Sequence, residues 1–289
     1  MKHLSILLAL AVTTGAMADD AKQEAKRDED TLKRQMLFTI FRPIMHDMGS
    51  CNTEKADVVS GPIEMKMTNN KKPGKQWWVR LGQSKFKVTI EDSTGLTLTN
   101  ALVCAERIPA AYLRALEVVS EDKKAGLAFY KTLGGASAHG GQNYLNMIPL
   151  KPAHAASVIV HEAGHILEQR ARNTDEDILK KWAEAVKKDN IDVSNYGNHV
   201  NHEDLAEFAR IYAFCSDQAL GRNSLAALRE FSPARFDLWE KMLELSGARQ
   251  ADAPAKPREC SEQWKKRIKQ LDDNLETARA VSDYGPRHK

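Results

Sequence analysis

Apolar residues along this chain follow two spacings, and each predicts a different kind of element. Met36, Leu37, Ile40, Phe41, Ile44 and Met45 fall three and four apart, as on one face of a packing helix that Pro43 breaks or kinks. After a turn over 71–75 containing Pro73-Gly74, residues 76–81 and 85–91 read as hairpin strands joined through Gly82. Trp77 and Trp78 read as core and edge aromatics of that hairpin. The threonine- and valine-containing stretch 96–105 continues in strand fashion, and Pro109 opens a helix whose buried stripe is Tyr112, Leu113, Leu116 and Val119. A glycine-rich loop over 134–141 then leads into a short strand over 143–148, ended by Pro149 and Pro152.

From there the spacing is helical. Helices are predicted over 153–172, over 175–188 with Ile178, Leu179, Trp182 and Val186 inward, and over 202–220 with Leu205, Phe208, Ala209 and Tyr212 inward. Gly221 supplies a stop for the third of these. Ser232-Pro233 reads as an N-cap and first turn of a helix ending near Gly247. Pro254 and Pro257 mark a linker before a last helix with Trp264, Ile268, Leu271 and Leu275 on one face, its Lys265-Lys266-Arg267 run solvated. Strands first and helices afterwards predict an α+β fold, and no repeat at solenoid periods interrupts them.

Composition narrows the function classes. Among 289 residues, 42 Lys and Arg face 39 Asp and Glu, a net charge of +3, too even a balance to replace counterions along a nucleic acid. At 42% apolar and 28% charged, the chain buries a core. Lys2 and His3, the apolar stretch 4–12 and Ala16-Met17-Ala18 form an export signal over 1–18, so the mature chain is expected to begin at Asp19, in the periplasm or outside the cell. No later stretch is apolar enough to span a bilayer. Residues 19–34 are almost wholly charged and read as a solvated, frayed helix. In an exported chain, Cys51, Cys104, Cys215 and Cys260, none in a C-x-x-C pair, read as two disulfides, with Cys51–Cys104 and Cys215–Cys260 favoured among three connectivities.

The strongest chemical signal is His161-Glu162-Ala163-Gly164-His165. Residues four apart on a helix lie about 40° from each other around the axis, so both imidazoles point to one side and can share a metal ion. Glu162, rotated about 100°, stands beside that point without binding the metal. Ile159, Val160, Ala163, Ile166 and Leu167 lie opposite, so the helix is expected to bury one face and line a cleft with the other. Glu168 and Ala171 occupy the places where a metzincin would need Gly and His, which excludes that class. Glu203 and Glu207, four apart on the later helix, offer a third ligand and a hydrogen-bond partner for a ligating imidazole, in either order. His199 and His202 compete with Glu203, whereas His139 and His154 lack ligand spacing.

The run from Ser194 to Arg210, with Ser-x-Tyr-Gly, a glutamate seven residues after the tyrosine and then Ala-Glu, resembles the zinc-site helix of the anthrax lethal factor-like gluzincin peptidases, and His-Glu-x-Gly-His matches too. The resemblance covers about residues 143–210 and implies a zincin-like fold with a small mixed sheet, Glu203 as third zinc ligand, Glu207 behind it and Tyr196 near the reacting carbonyl. The resulting expectation is a secreted zinc endopeptidase, monomeric, acting on peptide or protein through a zinc-activated water with Glu162 as base and then acid. A cell-envelope zinc amidase and a non-catalytic peptide-binding protein are the alternatives. The catalytic domain is expected over 105–250, with 19–104 either part of it or a separate segment, and 251–289 a linker and packed helix. Residues 143–148 are the expected sheet edge for an extended peptide.

Overall fold

β-Branched residues are denser in the first half of the chain than in the second, and there a mixed six-stranded sheet forms. The computed structural model describes residues 36–45, 54–197, 200–216, 222–248 and 262–284. Its elements are α1 (Met36–Phe41), β1 (Asp57–Lys66), β2 (Pro73–Leu81), β3 (Ser84–Glu91), α2 (Leu98–Ala105), α3 (Ala110–Val118), β4 (Leu127–Phe129), β5 (Ala138–Gly141) and β6 (Tyr144–Met147). The helical half follows as α4 (Pro152–Arg172), α5 (Ile178–Asp189), α6 (Asn201–Cys215), α7 (Arg222–Phe231), α8 (Pro233–Leu245) and α9 (Glu262–Tyr284). The signal region 1–18, the charged run 19–34, Cys51, His199, Gly221, Cys260 and the linker prolines lie outside the described residues.

Strand order is β1-β2-β3-β4-β6-β5. The β1/β2, β2/β3 and β6/β5 pairs are antiparallel, while β3/β4 and β4/β6 are parallel. One sheet therefore runs across both sides of Cys104. Phe86, Val88 and Ile90 of β3 join Leu127 and Phe129 of β4 in the core beneath α2, α3 and α4. The apolar face of α4 predicted from spacing, Ile159, Val160, Ala163, Ile166 and Leu167, is fully buried, and each large side chain among these contributes about 1.5–3 kcal/mol.

Several expectations are corrected. Residues 96–105 are not strand: the Thr97 hydroxyl accepts from the Asn100 N–H at 3.3 Å and caps α2. The glycine-rich stretch is not all loop, because Ala138–Gly141 is the edge strand β5, and the 143–148 strand lies inside the sheet between β4 and β5. Strands β1 and β4 and helix α7 were not anticipated. Ser232 precedes α8 as expected, but its side chain does not cap the helix; the Asp189 carboxylate at the end of α5 accepts the Ala234 and Arg235 N–H groups at 2.8 and 3.0 Å instead. Each expected disulfide has one member, Cys51 or Cys260, outside the described residues; Cys104 and Cys215 are buried free thiols, Cys104 donating to the Asn100 carbonyl at 3.3 Å.

Two ties place the later elements. In α9, Leu271 and Leu275 are buried and Asn274 Nδ2 donates to the Thr39 and Ile40 carbonyls at 3.3 and 3.2 Å, so α9 holds α1 in place. Arg235 of α8, fully buried, donates from Nε to Asp189 Oδ2 at 3.1 Å, from Nη1 to Asp204 Oδ2 at 3.0 Å and from Nη2 to the Ile191 carbonyl at 2.5 Å. Trp182 Nε1 donates to Asp204 Oδ1 at 2.9 Å, so α5, α6 and α8 are locked together at the first turn of α6. Among the described residues no helix is long and apolar enough to cross a membrane.

Candidate metal centre

Pro152 in its first turn starts α4, and the helix runs unbroken through the His-Glu-x-x-His segment, so both imidazoles keep their shared side. α6 crosses α4 at close range. A Cβ on Gly164 would stand 2.9 Å from Ala209 Cβ and 3.1 Å from Ala206 Cα, so a bare Cα between the two histidines permits the crossing. Glu203, in the first turn of α6, is thereby carried against the imidazoles.

His161, His165 and Glu203 converge, their potential ligand atoms all within 4.8 Å of one another, and this cluster could hold a metal ion. Glu203 Oε2 lies 3.2 Å from His161 Nε2 and 3.6 Å from His165 Nε2. Despite that approach it is buried and makes no hydrogen bond of proper geometry. An orphaned buried carboxylate oxygen facing two ring nitrogens fits a cation shared among them better than a packing role. The imidazoles of His161 and then His165 hold the Glu203 carboxyl far below its usual range.

Glu207, one turn further along α6, sits behind His161. Its Oε1 meets His161 Nδ1 at 2.8 Å and its Oε2 accepts from Arg210 Nη2 at 2.6 Å. Burial pushes the Glu207 carboxyl up, but His161 and Arg210 outweigh that and keep it below its ordinary value. Burial pulls His161 down, and the carboxylates of Glu203 and Glu207 more than reverse this, holding it up at about 9. Fixing Nδ1 by a carboxylate leaves Nε2 aimed at the cluster and raises its basicity as a ligand.

Glu162 is buried, and burial raises its carboxyl above the ordinary value although His161 and His165 oppose the shift. Tyr196 is exposed, its ring 6.0 Å from that of His161; burial of the hydroxyl first, then Glu203, Glu162 and Glu207, push its pKa up, so it remains a donor. Ser194 holds the tyrosine turn, its Oγ accepting from the Gly197 N–H at 3.1 Å. His202 reaches the outer Glu203 oxygen, Oε1, at 3.5 Å and lies with its ring 5.7 Å from that of His165, half exposed on the rim and outside the cluster. His139 and His154 are exposed and outside the cluster.

A cleft of about 580 Å³ opens beside His161 and Glu162, walled by Phe38 of α1, Ala136 and Ala138 before and in β5, Val158 of α4 and Arg210 of α6. Phe38 and Arg210 were missed as site residues in the sequence, although Arg210 lies three residues after Glu207, one helical turn away. The Arg210 guanidinium lies 5.6 Å from the Phe38 ring, joining these two walls. No protein family profile, curated protein or solved structure matches the chain.

Proposed function

We propose that this chain is an exported zinc-dependent endopeptidase with a zincin-type catalytic arrangement, as its resemblance to the lethal factor-like gluzincins implies. The observation that carries the reading is Glu203 Oε2, buried, without a hydrogen bond, and facing both His161 and His165. Two imidazole nitrogens and one carboxylate oxygen make a donor set that suits zinc and leaves a coordination position open. When bound, the metal supplies Lewis acidity toward a carbonyl and acidifies water.

The chain's own groups do the rest. Glu162 accepts the proton of the attacking water on its carboxylate and returns it to the leaving amine; its raised pKa favours the second half of that exchange. Tyr196, still protonated, donates to the oxyanion that develops in the transition state. Among the described residues strand β5 is an edge of the sheet beside the cleft, and an extended peptide would pair with the outward backbone of Ala138, gaining affinity without sequence choice.

The test compares the wild type with Glu162→Gln for bound zinc and for cleavage of a diverse peptide library. Equal zinc, with cleavage by the wild type alone and a loss of about 10²–10⁴-fold in the variant, is expected. Zinc bound by both with no cleavage by either would sink the peptidase reading.

A further inference from the structure

We propose that Gly140, in the edge strand β5, is a positioning residue for Glu162: its missing side chain lets the strand backbone close onto the base, and its N–H holds the carboxylate in the cleft. This rests on the reading of Glu162 as the base. The Ser137 carbonyl accepts from the Ile148 N–H at 3.0 Å, so the peptide groups of residue 137 face β6. Strand alternation then turns those of His139 toward β6 and those of Ala138 and Gly140 away from it. The outward Gly140 backbone lies against the Glu162 carboxylate, whose Oε2 would stand 2.7 Å from a Cβ at position 140, and the Gly140 peptide works against burial in setting the Glu162 pKa.

The approach leaves no room for a side chain. A Cβ at position 140 would lie 2.7 Å from Glu162 Oε2, 2.7 Å from the Glu162 backbone oxygen and 2.8 Å from Glu162 Cβ. Because one of these is main chain, rotating the glutamate cannot relieve the overlap; β5 must lift from α4. A glutamate at a cleft wall otherwise has several staggered rotamers open to it. The strand removes that freedom, and catalytic geometry tolerates errors of only about 0.5 Å. The same strand presents Ala138 to the cleft, so support of the base and one wall of the substrate channel are a single piece of backbone. Its neighbour provides the contrast. The three atoms nearest a Cβ at Gly141 all belong to the exposed Tyr144 side chain, at 3.1–3.2 Å, and none is main chain.

The first measurement is amide hydrogen exchange at Gly140 in the full mature chain, wild type against Glu162→Ala. Exchange at Gly140 at least tenfold faster in the variant, with His139 unchanged, is expected; equal rates overturn the proposal whatever the protein cleaves. The second compares Gly140→Ala and Gly141→Ala for bound zinc, thermal midpoint, kcat and KM on a peptide cut by the wild type. Gly140→Ala is expected to keep its zinc and lose at least tenfold in kcat with KM within twofold, while Gly141→Ala stays near wild type. Equal losses in both variants, or an active Gly140→Ala, overturn it. If Gly140→Ala does not fold, or if the wild type cleaves no peptide, the exchange measurement decides alone, and the latter outcome counts against the peptidase reading, not against the role of Gly140.

Discussion

Glu203 and Asp204 are neighbours in the first turn of α6, yet the fold treats their carboxylates in opposite ways. Asp204 is saturated: two oxygens accept from Arg235, one of them also from Trp182, and Arg235 is itself shared with Asp189 and the Ile191 carbonyl. Glu203 turns an oxygen toward two imidazoles and leaves it without a hydrogen bond. A buried charge cluster that satisfies all its members rigidifies the protein, whereas convergent groups with an unmet acceptor mark a place for something the chain does not contain. The two are mechanically linked, because the lock at Asp204 fixes where Glu203 stands.

The largest expected effect tests the saturated cluster. Arg235→Met leaves two buried carboxylates, Asp189 and Asp204, without their shared cation and should destabilise the protein by about 3–5 kcal/mol. Urea unfolding measures this, and a loss below about 1 kcal/mol would mean that the cluster does not lock the helices as described.

Next comes the open cluster. Glu203→Ala should lower metal affinity by more than about 100-fold, Glu207→Ala by about 10–100-fold, as for a residue that orients a ligand. Calorimetric titration of the chelator-treated variants checks the order, and the reverse order would exchange the roles of the two glutamates.

The smallest effect separates the clusters by pH. His161, raised from 6.5 to about 9 without metal, gives the metal-free protein a stability that is full below pH 6.5 and fades as pH rises through about 9. The metal-free difference between wild type and His161→Gln should shrink over that window. The Arg235→Met deficit should stay constant there, since arginine keeps its charge. Stability curves at several pH values decide whether the two profiles diverge.

How much could be read beforehand followed from how local each signal is. The pairs His161/His165 and Glu203/Glu207 are each four apart on strongly periodic helices, so the convergence of His161, His165 and Glu203 was legible from spacing together with the gluzincin resemblance. Thr97 was misread because threonine serves both strands and caps. Strand β5 was hidden because its alanine and glycines carry no β propensity, and its place is set by backbone pairing to β6. β1 escaped because most of its side chains are exposed, and β4 because it is three residues long. The Arg235 lock joins residues 31 and 46 positions away, a relation that no periodicity reports.

The free thiols on α2 and α6 carry a practical consequence. Burial pushes Cys104 up to about 11 and Cys215 well above its ordinary value, so in the folded protein each is nearly all thiol and shielded from alkylating reagents. Each becomes reactive only when its own helix opens. Pulsed thiol labelling read by mass spectrometry would therefore time two events in one chain: Cys104 reports release of α2 from the sheet, and Cys215 release of the helix that carries Glu203.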